Sequence, residues 1–477
     1  MRWIVTILTG LTLVAAAPAP RQEWSPQPWL DDLSQAHQAF SQKYANIDWL
    51  EKDREVTLAS LFDRASSRLR SAHSDTEAKA IFDGLIKRVG DGHVAIEWPQ
   101  PAAPPAIMDR TTRTLQNVCE NMGFDSRRSE PGASAALPGY RAINDGAPFP
   151  SGTIAFGGRT VGVIRIGGFE PQGSPSICKA ALQALHHSAD SPCDDKCEDE
   201  ILTWSYDRLT NALQERARAL HSLGATVLLV DITNNGGGTE WAEAAARILS
   251  PKMLTSERRG FVRGPHWSAQ WGALARQLRD AAVSASVTDQ VRLSAWAKEA
   301  EEAQRDASQP CASTGGCALV GRAGYSTGLV GSARAGTFAG KPWADLVFSI
   351  ARFPYHDSAW SGPLLVLVDD ETWSAAEEFA AVLQDNRAAV IIGSRTGGAG
   401  CGHTNGGTPT ILKNSGATLE LPDCVRFRAD GSNEVSGVIP DVLTGSKASD
   451  GQAFKARLIV AHLPRAIDLA REQQHSR

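Results

Sequence analysis

Apolar positions in the first hundred residues fall three and four apart. Leu33, Phe40 and Tyr44 form one series; Leu58, Phe62, Ala65 and Leu69 form another. This spacing lines one side of a helix, so residues 29–97 are expected to be largely helical. Ser74-Asp75-Thr76-Glu77 predicts a capping box, opening a helix with Ile81, Phe82, Leu85 and Val89 on one face. That helix should stop at Gly90-Asp91-Gly92-His93, ahead of a strand-like Val94–Ile96.

Residues 98–152 are rich in Pro, Gly and Ser and read as an irregular linker. Beyond them the period changes. Val161–Ile166 alternates as a strand does, and Leu202, Leu209, Leu213 and Leu220 then share a helix side. Ala225–Asp231 is apolar on both faces, the mark of a strand covered from both sides. A helix over Trp241–Ile248, a strand over Leu364–Val368, a helix over Ser374–Leu383 and a strand over Ala389–Ile392 continue the alternation. Strands alternating with helices predict an α/β fold with a largely parallel sheet. Residues 255–345 interrupt the pattern with short helices (Leu274, Leu278, Leu293, Trp296, Ala300) and read as an insertion. A final helix is expected over about Ala453–Leu463. The organisation is then a leader at 1–19, a helical domain at 20–97, the linker at 98–152, an α/β core at 153–450 and a helix with tail at 451–477.

The first residues carry one charge, Arg2, a short apolar run and a small-residue end at Ala16–Ala19, which predicts a cleaved secretory signal rather than a membrane anchor. Export places the chain in the periplasm or outside the cell, and eight cysteines there read as disulfide material. Proximity pairs Cys193 with Cys197 and Cys311 with Cys317; Cys401 and Cys424 flank a hairpin, leaving Cys119 and Cys178. Sequence alone does not fix that connectivity. A formal net charge of −5 offers no basic surface for nucleic acid, and no later stretch is apolar enough to insert stably in a membrane. No metal or organic cofactor is expected.

Four segments could carry chemistry. Asp231-Ile-Thr-Asn-Asn-Gly-Gly-Gly-Thr239 ends a buried strand in consecutive glycines, whose N–H groups can turn toward a ligand. It lacks the Lys-Ser/Thr pair of a phosphate loop. Asp370-Glu-Thr-Trp-Ser374-Ala-Ala-Glu follows a strand and opens a helix; Ser374 is either a helix cap or a nucleophile. His93, beside Gly92, and His403, in Gly400-Cys-Gly-His-Thr404, are rival general bases. Glu434, ahead of the Gly437-to-Pro440 turn, is a carboxylate able to orient a histidine.

Taken together and in this order, the motifs resemble the carboxy-terminal processing protease and tricorn core family of serine peptidases, across roughly residues 30–100 and 155–450. The resemblance implies a crotonase-like or Clp-protease-like α/β core behind a small helical domain. Residues 98–152 are too short for the PDZ domain of many relatives. It makes Ser374 the nucleophile, with Gly236 or Gly237 and Ala375 as oxyanion donors. Ser–Lys members carry lysine in a Gly-x-x-Thr-x-Gly-Lys-Gly segment. Ala399 stands there in this chain, and the first lysine after Ser374 is Lys413. The tricorn-like branch uses a histidine and a late glutamate, which match His93 (base) and Glu434 (its orienting carboxylate); Gly92 replaces a serine of that branch. The function implied is a secreted or periplasmic endopeptidase acting on peptides or proteins through an acyl-enzyme on Ser374. The rivals are a carrier of hydrophobic ligands on the same fold and an esterase or acyl transferase.

Overall fold

The computed structural model describes residues 24–100, 118–125, 131–186, 193–309, 311, 317–356, 358–404 and 407–475. The expected leader at 1–19 lies outside them.

Three helices, Gln27–Lys43, Leu58–Arg70 and Asp75–Val89, gather Phe40, Tyr44, Leu50, Leu69 and Phe82 into one apolar cluster. The caps behave as the sequence suggests, with one shift. Ser74 Oγ accepts from the Glu77 N–H (3.2 Å), but the Glu77 carboxylate accepts from His73 N–H (2.9 Å), one residue before the cap. The third helix ends at Gly90 in a left-handed conformation (φ 70°).

A seven-stranded sheet runs in the order Val442–Leu443, Val390–Gly393, Leu364–Val368, Ala225–Asp231, Arg159–Arg165, Ser151–Phe156, Arg141–Ile143. The first five strands are parallel; the last two add on antiparallel. Alternating residues of the central strands face two different cores. Leu228, Val230, Val366 and Ile391 pack under the helices Asp195–Ser222, Trp241–Ile248 and Ala375–Asp385. Val227, Leu229, Leu365, Leu367 and Val390 pack against Ile459, Leu463 and Ile467 of the C-terminal helix. Covering both faces explains the uninterrupted apolar strands.

Three differences from the sequence reading have local causes. Arg141–Ile143 lies inside the stretch read as irregular; as a short, partly exposed edge strand it carries no period-2 signal. The C-terminal helix runs over Gln452–His475, through Pro464 and past the expected end at Leu463. The 255–345 segment holds two long helices, Pro265–Val283 and Val287–Ala307, rather than short ones. It also supplies strands Arg258–Val262 and Val320–Tyr325, which pair with Cys424–Phe427 in a second sheet. A third sheet joins Ala95–Glu97 to Thr418–Glu420, drawing the segment after His93 onto the core. Cys119–Cys178, Cys193–Cys197, Cys311–Cys317 and Cys401–Cys424 are bonded, the pairing that proximity suggested.

Candidate active site

The turn after the Ala225–Asp231 strand is built by polar side chains. The Asp231 carboxylate accepts from the N–H groups of Ser134 (2.7 Å) and Thr233 (3.0 Å) and lies 3.7 Å from the Arg165 guanidinium. Buried Asn235 donates to the Ile166 carbonyl (2.9 Å) and accepts from Gly237 N–H (2.9 Å). Gly237 has φ 105°, and a Cβ there would lie 2.9 Å from Ser374 Cβ and 3.0 Å from Ala375 N. One expectation is corrected here: the Gly237 N–H is committed to Asn235, so this residue contributes a close backbone approach to Ser374, not a donor. Gly236, Gly237 and Gly238 also line a cleft of about 720 Å³, with Arg165, Thr233 and Lys455 among its walls.

Ser374 stands between the Leu364–Val368 strand and the Ala375–Asp385 helix with φ 55° and ψ −119°. A non-glycine residue held there stores strain, a feature of functional turns. Its N–H donates to Glu377 Oε2 (3.0 Å), and its carbonyl accepts from Arg426 Nη2 (3.1 Å). The cap reading and the nucleophile reading are thus not exclusive: Ser374 opens the helix and sits against the glycine turn.

Glu377 fastens a second loop to this helix start. Its carboxylate also accepts from Thr396 Oγ1 (2.6 Å), Gly398 N–H (2.7 Å) and Ala399 N–H (2.8 Å). Burial, and then the nearby Glu434 charge, push its carboxyl up to about 7, against the pull of those donors.

His93 follows the helical cluster. Its own N–H donates to Asp91 Oδ1 (2.9 Å), while Asp91 Oδ2 accepts from Tyr44 OH (3.0 Å) and Asn46 Nδ2 (2.8 Å). Burial raises the Asp91 carboxyl, opposed by these hydrogen bonds. The imidazole Nδ1 lies 2.6 Å from the Ala399 carbonyl. A carbonyl only accepts, so Nδ1 carries the proton and Nε2 presents its lone pair. A Cβ on Gly402 would sit 2.9 Å from that Nε2, and one on Gly92 would sit 2.5 Å from Trp373 Cζ3. The histidine loop therefore packs on the residue before Ser374.

A second expectation is corrected. Both Glu434 carboxylate oxygens are taken by Arg426, through Nε and through Nη2 (2.9 Å); the atom orienting His93 is the Ala399 carbonyl. Arg426 is buried and also donates to the Gly400 carbonyl (2.9 Å), with Glu378 at 3.3 Å and Glu257 at 3.6 Å. One guanidinium so serves three buried carboxylates. Burial, then the Glu434 charge, raises the Glu257 carboxyl well above the usual range. His403, the rival base, lies beside His93 with ring centroids 6.1 Å apart and its Nδ1 4.0 Å from Glu420. Burial, then the His93 charge, lowers its pKa.

The structure gathers Ser374, Gly237, Ala375, Trp373 and the His93 loop, and sets Glu434 beneath them on Arg426. Sequence reasoning missed Glu377, Arg426 and the Ala399 carbonyl. Glu377 had a signal, being the acid three residues after a helix-opening serine. Arg426 had one too, a cation inside an apolar strand pattern, Cys424–Phe427. No metal-binding cluster of His, Cys, Asp or Glu occurs among the described residues.

The sequence pattern of peptidase family S41 matches residues 160–444. No curated protein matches the chain. Among solved structures, mature CPAF is 15% identical, with 94% of this chain and 98% of that chain covered and a TM-score of 0.55. Mature CPAF complexed with lactacystin is 14% identical over 95% of this chain and 99% of that one, with a TM-score of 0.57.

Proposed function

Because the chain belongs to peptidase family S41 and is a serine-type peptidase, we propose that Ser374 is its nucleophile and His93 its general base, and that it cuts within peptide chains. The contact that carries this reading is Gly237 against Ser374 and the first N–H of the following helix: 2.9 Å to Ser374 Cβ and 3.0 Å to Ala375 N from the position of the absent Cβ. With the turn packed this closely on Ser374, a reacting carbonyl at the hydroxyl has its oxygen beside a helix N-terminus and the Gly236 turn.

Ser374 Oγ attacks the peptide carbonyl carbon while His93 Nε2 takes the hydroxyl proton. Negative charge gathers on the carbonyl oxygen, where Ala375 N–H and the glycine turn donate to it. The C–N bond breaks as His93 returns the proton to the leaving amine. Water, deprotonated by the same imidazole, then frees the acyl group from Ser374. The Ala399 carbonyl keeps Nδ1 protonated and the ring oriented throughout. The peptide crosses the glycine turn into the cleft along Thr233 and Gly238. Four disulfides favour an oxidising location, periplasmic or extracellular. No helix among the described residues is long and apolar enough to cross a membrane.

A fluorophosphonate probe tests the reading. The wild-type protein should label on Ser374. Ser374→Ala should abolish labelling and reduce peptide hydrolysis by about ten-thousand-fold or more. Undiminished labelling of Ser374→Ala would sink the assignment. Labelling lost in His403→Ala but kept in His93→Ala would move the base to His403.

A further inference from the structure

The residue before the nucleophile is a tryptophan with a particular setting. Its N–H donates to the Asn235 carbonyl (2.9 Å), which ties it to the glycine turn. Its indole N–H donates to Glu371 Oε2 (3.2 Å). The ring itself is held between two glycines. A Cβ on Gly92 would fall 2.5 Å from Cζ3 and 2.8 Å from Cε3, and one on Gly397 would fall 2.5 Å from Cδ2. Real Cβ atoms do not approach so closely, so neither position accepts a side chain while the indole stays. Gly397 N–H also donates to the Thr372 carbonyl (3.0 Å), and the Gly92 Cβ position is 3.4 Å from Ala399 Cβ.

We propose that Trp373 is a positioning residue: its indole is the spacer that sets how far the imidazole of His93 stands from Ser374, and Gly92 and Gly397 are glycines because the ring fills their side-chain space. One rigid side chain touches the histidine loop through Gly92 and the 396–400 loop through Gly397. That second loop carries the Ala399 carbonyl, which orients the imidazole. Through its backbone the same residue meets the glycine turn and precedes the nucleophile. An aromatic ring with two side-chain torsions is a stiff spacer, and close packing transmits its position to both loops. It takes no proton and touches no reacting atom. The inference rests on the Ser374–His93 reading above.

The test measures fluorophosphonate labelling rate, kcat and KM for a peptide, and the urea unfolding midpoint. Trp373→Ala should lower kcat and labelling rate about a hundredfold while KM moves little, because a displacement of about 1 Å between reacting groups costs that much. Trp373→Phe, which keeps a ring in the slot, should recover most of the rate. The decisive arm is a double-mutant cycle. Gly92→Ala should be damaging when Trp373 is present, since the new methyl overlaps the indole. It should cost little more in the Trp373→Ala background, where the slot is open. Equal losses from Gly92→Ala in both backgrounds, or wild-type labelling by Trp373→Ala, would overturn the spacer role and leave the nucleophile standing. A wild-type protein that does not label would instead overturn the reading on which this one is built.

Discussion

Ser374 emerges from a strand whose five residues are all buried in mid-sheet and enters a helix buried from Ala375 through Leu383. His93 has no such frame. It follows a left-handed glycine, lies between the Asp91 turn and the Ala399 carbonyl, and meets that carbonyl across 306 residues of chain. The proposed nucleophile is fixed by regular structure and its local hydrogen bonds. The proposed base is fixed by single polar contacts and by glycines that admit close packing. Two groups proposed to act in one site thus differ in what holds them, and a perturbation should reach the loop-borne one first.

The largest break in that contrast is Arg426→Ala. The guanidinium clamps the Ser374 and Gly400 carbonyls and balances Glu257, Glu378 and Glu434, all buried. Removing one partner of a buried ionic cluster leaves uncompensated charge and costs about 3–5 kcal/mol. Urea unfolding should register a loss of that size. Hydrogen exchange should show amides 397–404 losing protection well before those of 376–384. Equal loss in both segments would erase the distinction between the two ends of the site.

What the sequence could reveal follows the same division. Trp241–Ile248, Ala225–Asp231 and Leu364–Val368 read with the bounds the structure has, because burial on both faces writes itself as apolar residues. Ser374 was visible through the strand before it and the helix after it. The partner of Glu434 was not: whether that carboxylate meets His93 or Arg426 depends on which segments lie side by side, and Arg426 pairs with Arg259 across strands that sequence cannot register. The group that orients His93 is a backbone carbonyl, which has no residue signature at all. Gly92 could be seen as a departure from the related motif, but its cause, the indole of Trp373, is a tertiary contact.

Next in size is Glu377→Gln, which probes the one side chain serving both ends. Its four neighbours all donate: three are backbone N–H groups, and the Thr396 hydroxyl is already an acceptor for Val438 N–H (2.7 Å). Only the ionised carboxylate accepts all four, so activity should rise as pH rises through about 7. Stability moves the other way. The folded pKa lies above the ordinary glutamate value, so the folded state binds the extra proton between about 4.5 and about 7. This group's contribution to stability is therefore full below that window and lost as pH rises across it, by about 1.4 kcal/mol per unit. Glu377→Gln should cut kcat by about ten- to a hundredfold at pH 8, remove that group's part of the acid limb, and flatten stability across the same window. An unchanged pH–rate profile in a folded Glu377→Gln variant would detach this carboxylate from the site.

The smallest effect is expected from His403→Ala, and its smallness is informative. The ring lies 6.1 Å from His93, centroid to centroid, and it approaches the Glu420 carboxylate at 4.0 Å, a long contact at a half-exposed position. So long and half-exposed a contact contributes little, a roughly twofold change in rate at most. Burial and the His93 charge both hold His403 toward its neutral form, so near neutral pH the ring acts on its neighbour chiefly by volume. A loss comparable with that of His93→Ala would mean that the loop after Ala399 supplies the proton acceptor itself. The base would then lie on the Cys401–Cys424 disulfide loop, within reach of Ser374 through the core alone, and the contrast between a framed nucleophile and a cross-chain base would have to be redrawn.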